Sequence, residues 1–342
     1  MNPTILHRLP RNVWILAVCQ ALVMSAGSML VLIGSLLATK IAPSPKLATL
    51  PQAALIVGTA CATVPVAFWL RRIGRKRGSL LGYLFSLAAA GCGFFAAMRD
   101  SFALLVITGV CLGVAVAFWQ QFRFAALESV DDPKLYGPTL SVMMGSGLLS
   151  AFLGPEIGAR GSDWFPSLPA YAGSFILLGG VVLVSLALFQ AYRETVMLKS
   201  ATEEPPRPLR AIITSPRFFI PSLCAAIGFG VMSFVMTATP LTMHEVCGFD
   251  LDDTKRVIQG HIIAMFLPSV FSGLLMQRFG VGRVMTAGAA LYALVVVIGL
   301  AGADLMHFWG SLLLLGIGWN FLFMGGTALL PQSYRPSERF RA

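Results

Sequence analysis

Apolar runs of about 20 residues alternate with short polar breaks along nearly the whole chain, and about 20 residues is what one helix needs to cross a bilayer. The runs predict ten spans, at roughly 13–38, 52–70, 79–98, 102–124, 138–158, 170–191, 218–241, 257–277, 284–302 and 307–330. Pro43, Pro45 and Pro51 break the chain before the second span, and Arg99-Asp100 form a minimal turn before the fourth. Glu128, Asp131, Asp132 and Pro133 make the loop after the fourth, and Glu245, Asp250, Asp252 and Asp253 an acidic loop after the seventh. The first run is too long for a cleaved signal core and reads as a retained helix. Residues 192–217 are the one long polar stretch and contain Glu203-Glu204-Pro205-Pro206-Arg207-Pro208. They read as a cytoplasmic linker between a six-helix half, 1–191, and an incomplete four-helix half, 218–342.

Composition agrees with that pattern. Of the 342 residues, 56% are hydrophobic and 12% charged, and the mean hydropathy is +0.78. A soluble domain carries about 25% charged residues, so an all-α integral membrane protein in contact with the lipid bilayer is expected. The net charge of +10 could suggest a nucleic-acid partner. The charges fall in short loops between apolar runs, which is how membrane proteins anchor on the cytoplasmic side, and no nucleic-acid role follows. Of the 25 Lys and Arg residues, 19 lie on the side of the N-terminus, which puts both termini in the cytoplasm. The inner (plasma) membrane of a bacterium is the expected location. The six cysteines are scattered without C-x-x-C or ligand-like spacing, so neither a disulfide framework, a metal nor a cofactor is assigned. No G-x-x-x-x-G-K-S/T, H-E-x-x-H or G-x-S-x-G is present.

Two stretches repeat. Arg71 to Gly78 reads Arg-Arg-Ile-Gly-Arg-Lys-Arg-Gly and holds five of the basic residues in eight positions. Arg278-Phe-Gly-Val-Gly-Arg283 follows 206 positions later and matches Arg72-Ile-Gly-Arg-Lys-Arg77. Leu112-Gly-Val-Ala-Val-Ala-Phe118 and Leu315-Gly-Ile-Gly-Trp-Asn-Phe321 match at an offset of 203. Two pairs nearly in register predict pseudo-symmetric halves.

At this point the chain resembles the major facilitator superfamily of secondary transporters. That family's hairpin between helices two and three commonly reads Asp-Arg-x-Gly-Arg-Arg or Lys, and Arg72, Gly74, Arg75 and Lys76 match it. Arg71 stands in place of the Asp, and Gln277 in the second copy, beside Arg278, Gly280 and Arg283. The departures put the family's charge relay in doubt but not the turn, for which Gly74 and Gly280 supply backbone freedom. In span five, Ser141, Ser150, Gly154, Pro155, Gly158 and Ala159 resemble the Gly-Pro-x-x-Gly-Gly series of efflux-type members. The resemblance implies a bent helix at the interface between halves, in exporting antiporters; an ordinary packing face of small residues is the other reading. The resemblance also implies twelve helices, of which this sequence has about ten, so a partner chain replacing helix eleven, or a C-terminally truncated product, is implied.

Charges inside spans are costly and point to function. Glu156 follows Pro155 near the outer end of span five, and His261 lies about one turn into span eight. In the resembled fold these helices pack together, so the pair is expected to form an outer gate whose protonation follows transport; simple solvation at the interface is the alternative. Arg123 could attract an anionic group at the inner end of a cavity, or snorkel to the interface. The family implies a cavity lined by helices one, four, seven and ten, which here offer Gln20 and Met24, Trp119 and Gln120, Phe229 and Met232, and Trp319, Asn320 and Phe323. Amides among aromatics and methionines suit an amphipathic organic molecule, although a Met and Phe stripe also serves helix packing. The expected function is alternating-access transport of a small organic solute by rocking of two halves, coupled to protons and directed outward, and not an enzyme. A non-transporting remnant or helper subunit, and a lipid-modifying enzyme using Asp131-Asp132, are the rivals.

Overall fold

The computed structural model describes residues 8–132, 135–194 and 207–333. Residues 195–206 of the central polar stretch, including Glu203 to Pro206, lie outside these residues, as do Pro133 and the tail after Ser333. Ten apolar helical spans are present among the described residues: nine continuous ones and one bent pair.

Helix α1 runs Arg11–Ile41 and contains a π-helical turn at Leu30–Gly34. Helix α2 is Leu50–Ile73, with Pro51 in its first turn, where the missing N–H costs nothing. Then come α3, Arg75–Met98, and α4, Phe102–Glu128, which is interrupted at Gln120–Gln121. Helix α5 is Tyr136–Trp164, with Pro155 inside it, and α6 is Ala172–Phe189. After a helical turn at Leu209–Ile213 follows α7, Pro216–Val246, whose last turn, Thr242–Val246, is π-helical. Helix α8 has two segments, Leu251–Phe266 and Ser269–Phe279, bent by 43°. Helices α9 and α10 are Val281–Ala301 and Leu305–Leu329.

The spans lie where hydropathy puts them, with two differences. The eighth is broken rather than straight, because Pro268 has no N–H to give the preceding turn and its ring crowds the carbonyl four residues back. Helices also extend past the apolar runs into charged sequence. The basic hairpin is therefore a one-residue turn, Gly74, with Arg75, Lys76 and Arg77 already in the first turn of α3.

The chain divides into two compact units, Met1–Thr195 with Thr237–Gln259, and Val196–Met236 with Gly260–Ala342. Thr237–Gln259, placed in the second half by the sequence reading, group here with the first unit. In the first unit α1 packs against α5 and α6, α2 against α4, and α3 against α4 and α6. In lipid there is no hydrophobic drive between helices, so close van der Waals fit must hold them. A Cβ on Gly113 of α4 would sit 2.3 Å from the Leu55 carbonyl oxygen of α2, so only glycine allows that approach. In the second unit α9 packs on α10, and the Ser269–Phe279 segment of α8 touches both.

Candidate functional site

The two glycine hairpins share one backbone conformation. Gly74 has φ 87° and ψ 158°, and Gly280 has φ 86° and ψ 146°. This region is open essentially to glycine alone, which explains why both copies of the repeat carry it. Their surroundings differ. In the first unit the Arg75 guanidinium makes a bidentate pair with the Glu128 carboxylate of α4, and the Arg75 backbone N–H donates to the Glu194 carboxylate. Lys76 Nζ donates to the Gln190 carbonyl at 2.9 Å. Three basic side chains in the first turn of α3 oppose the positive end of its helix dipole, and the two carboxylates offset them. Asn12 closes the group by donating to the Arg193 carbonyl at 2.8 Å. Tyr192, just past the end of α6, is buried, which together with the nearby Glu194 carboxylate pushes its phenol up to about 12. Arg72, Arg278 and Arg283 are exposed. Sequence reasoning put Glu128 in a loop and did not single out Glu194, whose neighbours read as linker.

The small residues of α5 face α1 within the first unit. The Ser28 hydroxyl donates to the Ser150 carbonyl at 3.2 Å. A Cβ on Gly154 would lie 2.0 Å from the Ser28 hydroxyl, and one on Gly158 would lie 3.0 Å from Ile33 in the π turn of α1. Gln20 of α1 donates to the Met143 carbonyl at 3.1 Å and the Ser146 hydroxyl at 3.0 Å, both on α5. Met24 is half-buried and Gln120 exposed. Trp119 is buried with its ring against Tyr83, at 4.6 Å between centroids, and against Phe122 at 5.2 Å. Arg123 lies just past the interruption in α4; its Nε is buried without a hydrogen-bond partner among the described residues, and its guanidinium sits 5.0 Å from the Phe124 ring.

Glu156 of α5 accepts from Arg160 at 2.7 Å and from Lys255 of α8 at 3.1 Å, and Lys255 also reaches Asp252 at 2.8 Å. Lys255 is 8% exposed, so this ammonium is desolvated and needs both carboxylates. Its cue in the sequence is Asp252-x-x-Lys255, a spacing that puts both on one helix face. Nearby, Lys40 sits over the Tyr171 ring at 5.1 Å. Burial and the Glu245 carboxylate raise the Tyr171 phenol.

In the second unit, polar groups tie α8 to α10 at two levels. His261 is fully buried and its Nδ1 lies 2.8 Å from the Leu312 carbonyl oxygen. A carbonyl only accepts, so Nδ1 carries a proton; Nε2 has no partner among the described residues. Lower down, Asn320 donates to the Met265 carbonyl at 2.8 Å and the Ser269 hydroxyl at 2.7 Å, and accepts from the Ser272 hydroxyl at 2.5 Å. All three partners flank the bend in α8. Between the levels, a Cβ on Gly316 would lie 2.7 Å from the His261 carbonyl oxygen. Trp319 is buried and stacks on Phe323 at 4.7 Å and 10°, with Phe266 edge-on at 6.2 Å. Met232 is buried and Phe229 exposed on α7. The serines Ser269 and Ser272 were passed over in the sequence; their i, i+3 spacing directly after Pro268 was the available signal.

This is a multi-pass integral membrane protein built from apolar helices and glycine hairpins. Its sequence matches the Major Facilitator Superfamily over residues 16–342, and the chain belongs to that family, whose members are transporters and not enzymes. It is 36% identical over 337 residues to the riboflavin transporter RfnT of Brucella anthropi, covering 97% of this chain and 83% of that protein. It is 31% identical over 330 residues to an uncharacterised MFS-type transporter, YddS, of Bacillus subtilis, covering 90% of this chain and 74% of that protein. Among solved structures, a bacterial homologue of the human lysosomal transporter Spinster shares the fold with a TM-score of 0.72 at 15% identity, covering 99% of this chain and 78% of that one. A bacterial homologue of the iron transporter ferroportin does so with a TM-score of 0.62 at 16% identity, covering 97% and 86%.

Proposed function

We propose that this transporter moves a planar heteroaromatic solute of the riboflavin kind by alternating access, as a secondary carrier driven by a gradient. The observation that carries the proposal is the 36% identity to a riboflavin transporter over 97% of the chain. The residues assigned to the solute are Gln20, Met24, Gln120 and Arg123 in the first unit, and Phe229 with the Trp319–Phe323 ring pair in the second. Amide and guanidinium donors in the one unit and stacked aromatic side chains in the other are each the kind of group that a flat, polar-edged ring system takes.

Glu156 is assigned to an outer gate. Its cation is Lys255, which ties the start of α8 to α5 and must be released for that end to open. His261, whose buried Nε2 meets no partner among the described residues, is assigned the coupling proton. Outward transport coupled to protons is supported by the resemblance of the span-five series to that of efflux-type members, and both termini are assigned to the cytoplasmic side of a bacterial inner membrane.

The test is riboflavin flux in proteoliposomes holding purified protein, followed by flavin fluorescence, with and without an imposed proton gradient. Saturable flux that accelerates with the gradient is expected; flux equal to that of empty liposomes would refute the solute assignment. Glu156→Gln and His261→Gln are then compared across pH. An unchanged pH profile in both variants removes the gate and proton roles.

A further inference from the structure

The Trp319 indole N–H is a buried donor that meets no acceptor among the described residues. The residue is 7% exposed, and its Nε1 has no hydrogen-bond partner among the described residues. In a membrane interior an unanswered donor is costly, because neither water nor lipid can take the bond. An unsatisfied group of this kind in a folded protein calls for a reason. Asn320, the next residue in the chain, is the opposite case. Both hydrogens of its amide nitrogen are used, by the Met265 carbonyl and the Ser269 hydroxyl, and its oxygen accepts from Ser272. Asn320 thus has no donor left for a solute, although its residue type made it the more obvious ligand.

The ring geometry gives the orphan donor a context. Trp319 lies flat on Phe323, at 4.7 Å and 10°, and Phe266 meets it edge-on from the end of the first α8 segment. Phe266 precedes the break that Asn320 grips, so the same clamp fixes the α8 bend and the aromatic group beside it. A stacked indole offers an apolar face and one N–H in the ring plane. That combination matches a flat ring system bearing an acceptor on its edge.

We propose that Trp319 is a specificity-determining residue of the transporter: its N–H donates to a carbonyl oxygen or ring nitrogen on the edge of a planar heteroaromatic solute, while Asn320 is a positioning residue that clamps α10 to the bend of α8 and does not touch the solute. The proposal rests on the flat-solute reading of the function but not on riboflavin being the solute.

The experiment uses purified full-length protein in proteoliposomes. Riboflavin is compared with 5-deazariboflavin and 1-deazariboflavin, each of which replaces one edge nitrogen by C–H. Trp319→Phe keeps the stacked ring and removes the N–H. Its KM for riboflavin is expected to rise about three- to tenfold at unchanged maximal rate, the size of one neutral hydrogen bond. Where a deaza analogue lacks the acceptor in question, the variant and the parent have equal KM; where a carbonyl is the acceptor, all three flavins lose the same factor. Asn320→Ala is expected to lower maximal rate and thermal stability for every solute, with Asn320→Ser recovering part of both. An unchanged riboflavin KM in Trp319→Phe overturns the proposal, as does an Asn320→Ala defect confined to KM.

If the parent protein fails to bind riboflavin, the riboflavin reading falls by itself. The Trp319→Phe comparison is then made on whichever of pterin, xanthine, quinoline and acridine-type rings raises the parent's melting temperature. Loss of affinity for that ring but not for a carbocyclic ring of the same size, naphthalene or anthracene, sustains the proposal; equal affinity in variant and parent, or binding of none of these rings, overturns it.

Discussion

Replacing the two hairpin glycines separates backbone strain from an electrostatic cap. Both occupy a region with φ near +87° that a side chain enters at about 1–3 kcal/mol. At Gly280 a new Cβ meets nothing within 4 Å among the described residues, so Gly280→Ala carries the strain alone. At Gly74 the same Cβ would lie 2.8 Å from the Glu194 carboxylate, the group that caps the Arg75 N–H. The carboxylate is the far end of a flexible side chain and moves readily, but moving it breaks a charge-assisted bond. Such bonds contribute about 1.5–3 kcal/mol, reduced here by exposure to water. Gly74→Ala should therefore cost about 1–2 kcal/mol more than Gly280→Ala. The measurement is reversible unfolding in mixed micelles with increasing SDS, followed by far-UV circular dichroism. In a Glu194→Ala background the cost of Gly74→Ala should drop to that of Gly280→Ala. Equal costs in the parent, or a difference that survives removal of Glu194, would refute the reasoning.

Other outcomes follow from the same contacts. Glu128→Gln leaves the Arg75 guanidinium half-buried beside a neutral amide and should destabilise the first unit by about 1–3 kcal/mol in the same unfolding assay. Arg75→Lys should not restore the parent's stability, since an ammonium cannot reproduce the bidentate pair. Lys255→Met should leave Glu156 with Arg160 alone and raise the rate of labelling at a cysteine placed at Asp252, read by maleimide kinetics. Asn320→Ala removes three hydrogen bonds, which at the ~0.6 kcal/mol typical of membrane interiors amounts to about 2 kcal/mol. Tyr192 has its phenol raised by burial from 10.0 to about 12, so the folded state favours the neutral form. Its contribution to stability is complete below pH about 10 and is lost as pH rises through about 12, which ultraviolet titration of Tyr192→Phe against the parent will register.

The functional groups were legible to different degrees. Gly74 and Gly280 stood out because a repeated glycine between basic residues has one economical explanation, a turn that other residues cannot make. Glu156 and His261 stood out because charge inside an apolar run is rare. Glu194 was hidden in polar sequence where one carboxylate looks like another, and Lys255 in a loop already rich in charge. Trp119 and Trp319 had the same standing in the sequence. The fold separates them: Trp119 is packed among the rings of Tyr83 and Phe122, whereas the Trp319 N–H meets no acceptor among the described residues.

By itself the sequence determined the ten crossings, the glycine turns and the family. Span length is fixed by bilayer thickness, and left-handed backbone by the absence of a side chain; both are local properties of the chain. Which carboxylate meets Arg75, which cation meets Glu156, and whether Asn320 holds a helix or a solute were decided only by tertiary structure. Those pairings join residues 48 to 119 positions apart, and hydropathy, which records only how a residue partitions into lipid, carries no record of partners at that distance.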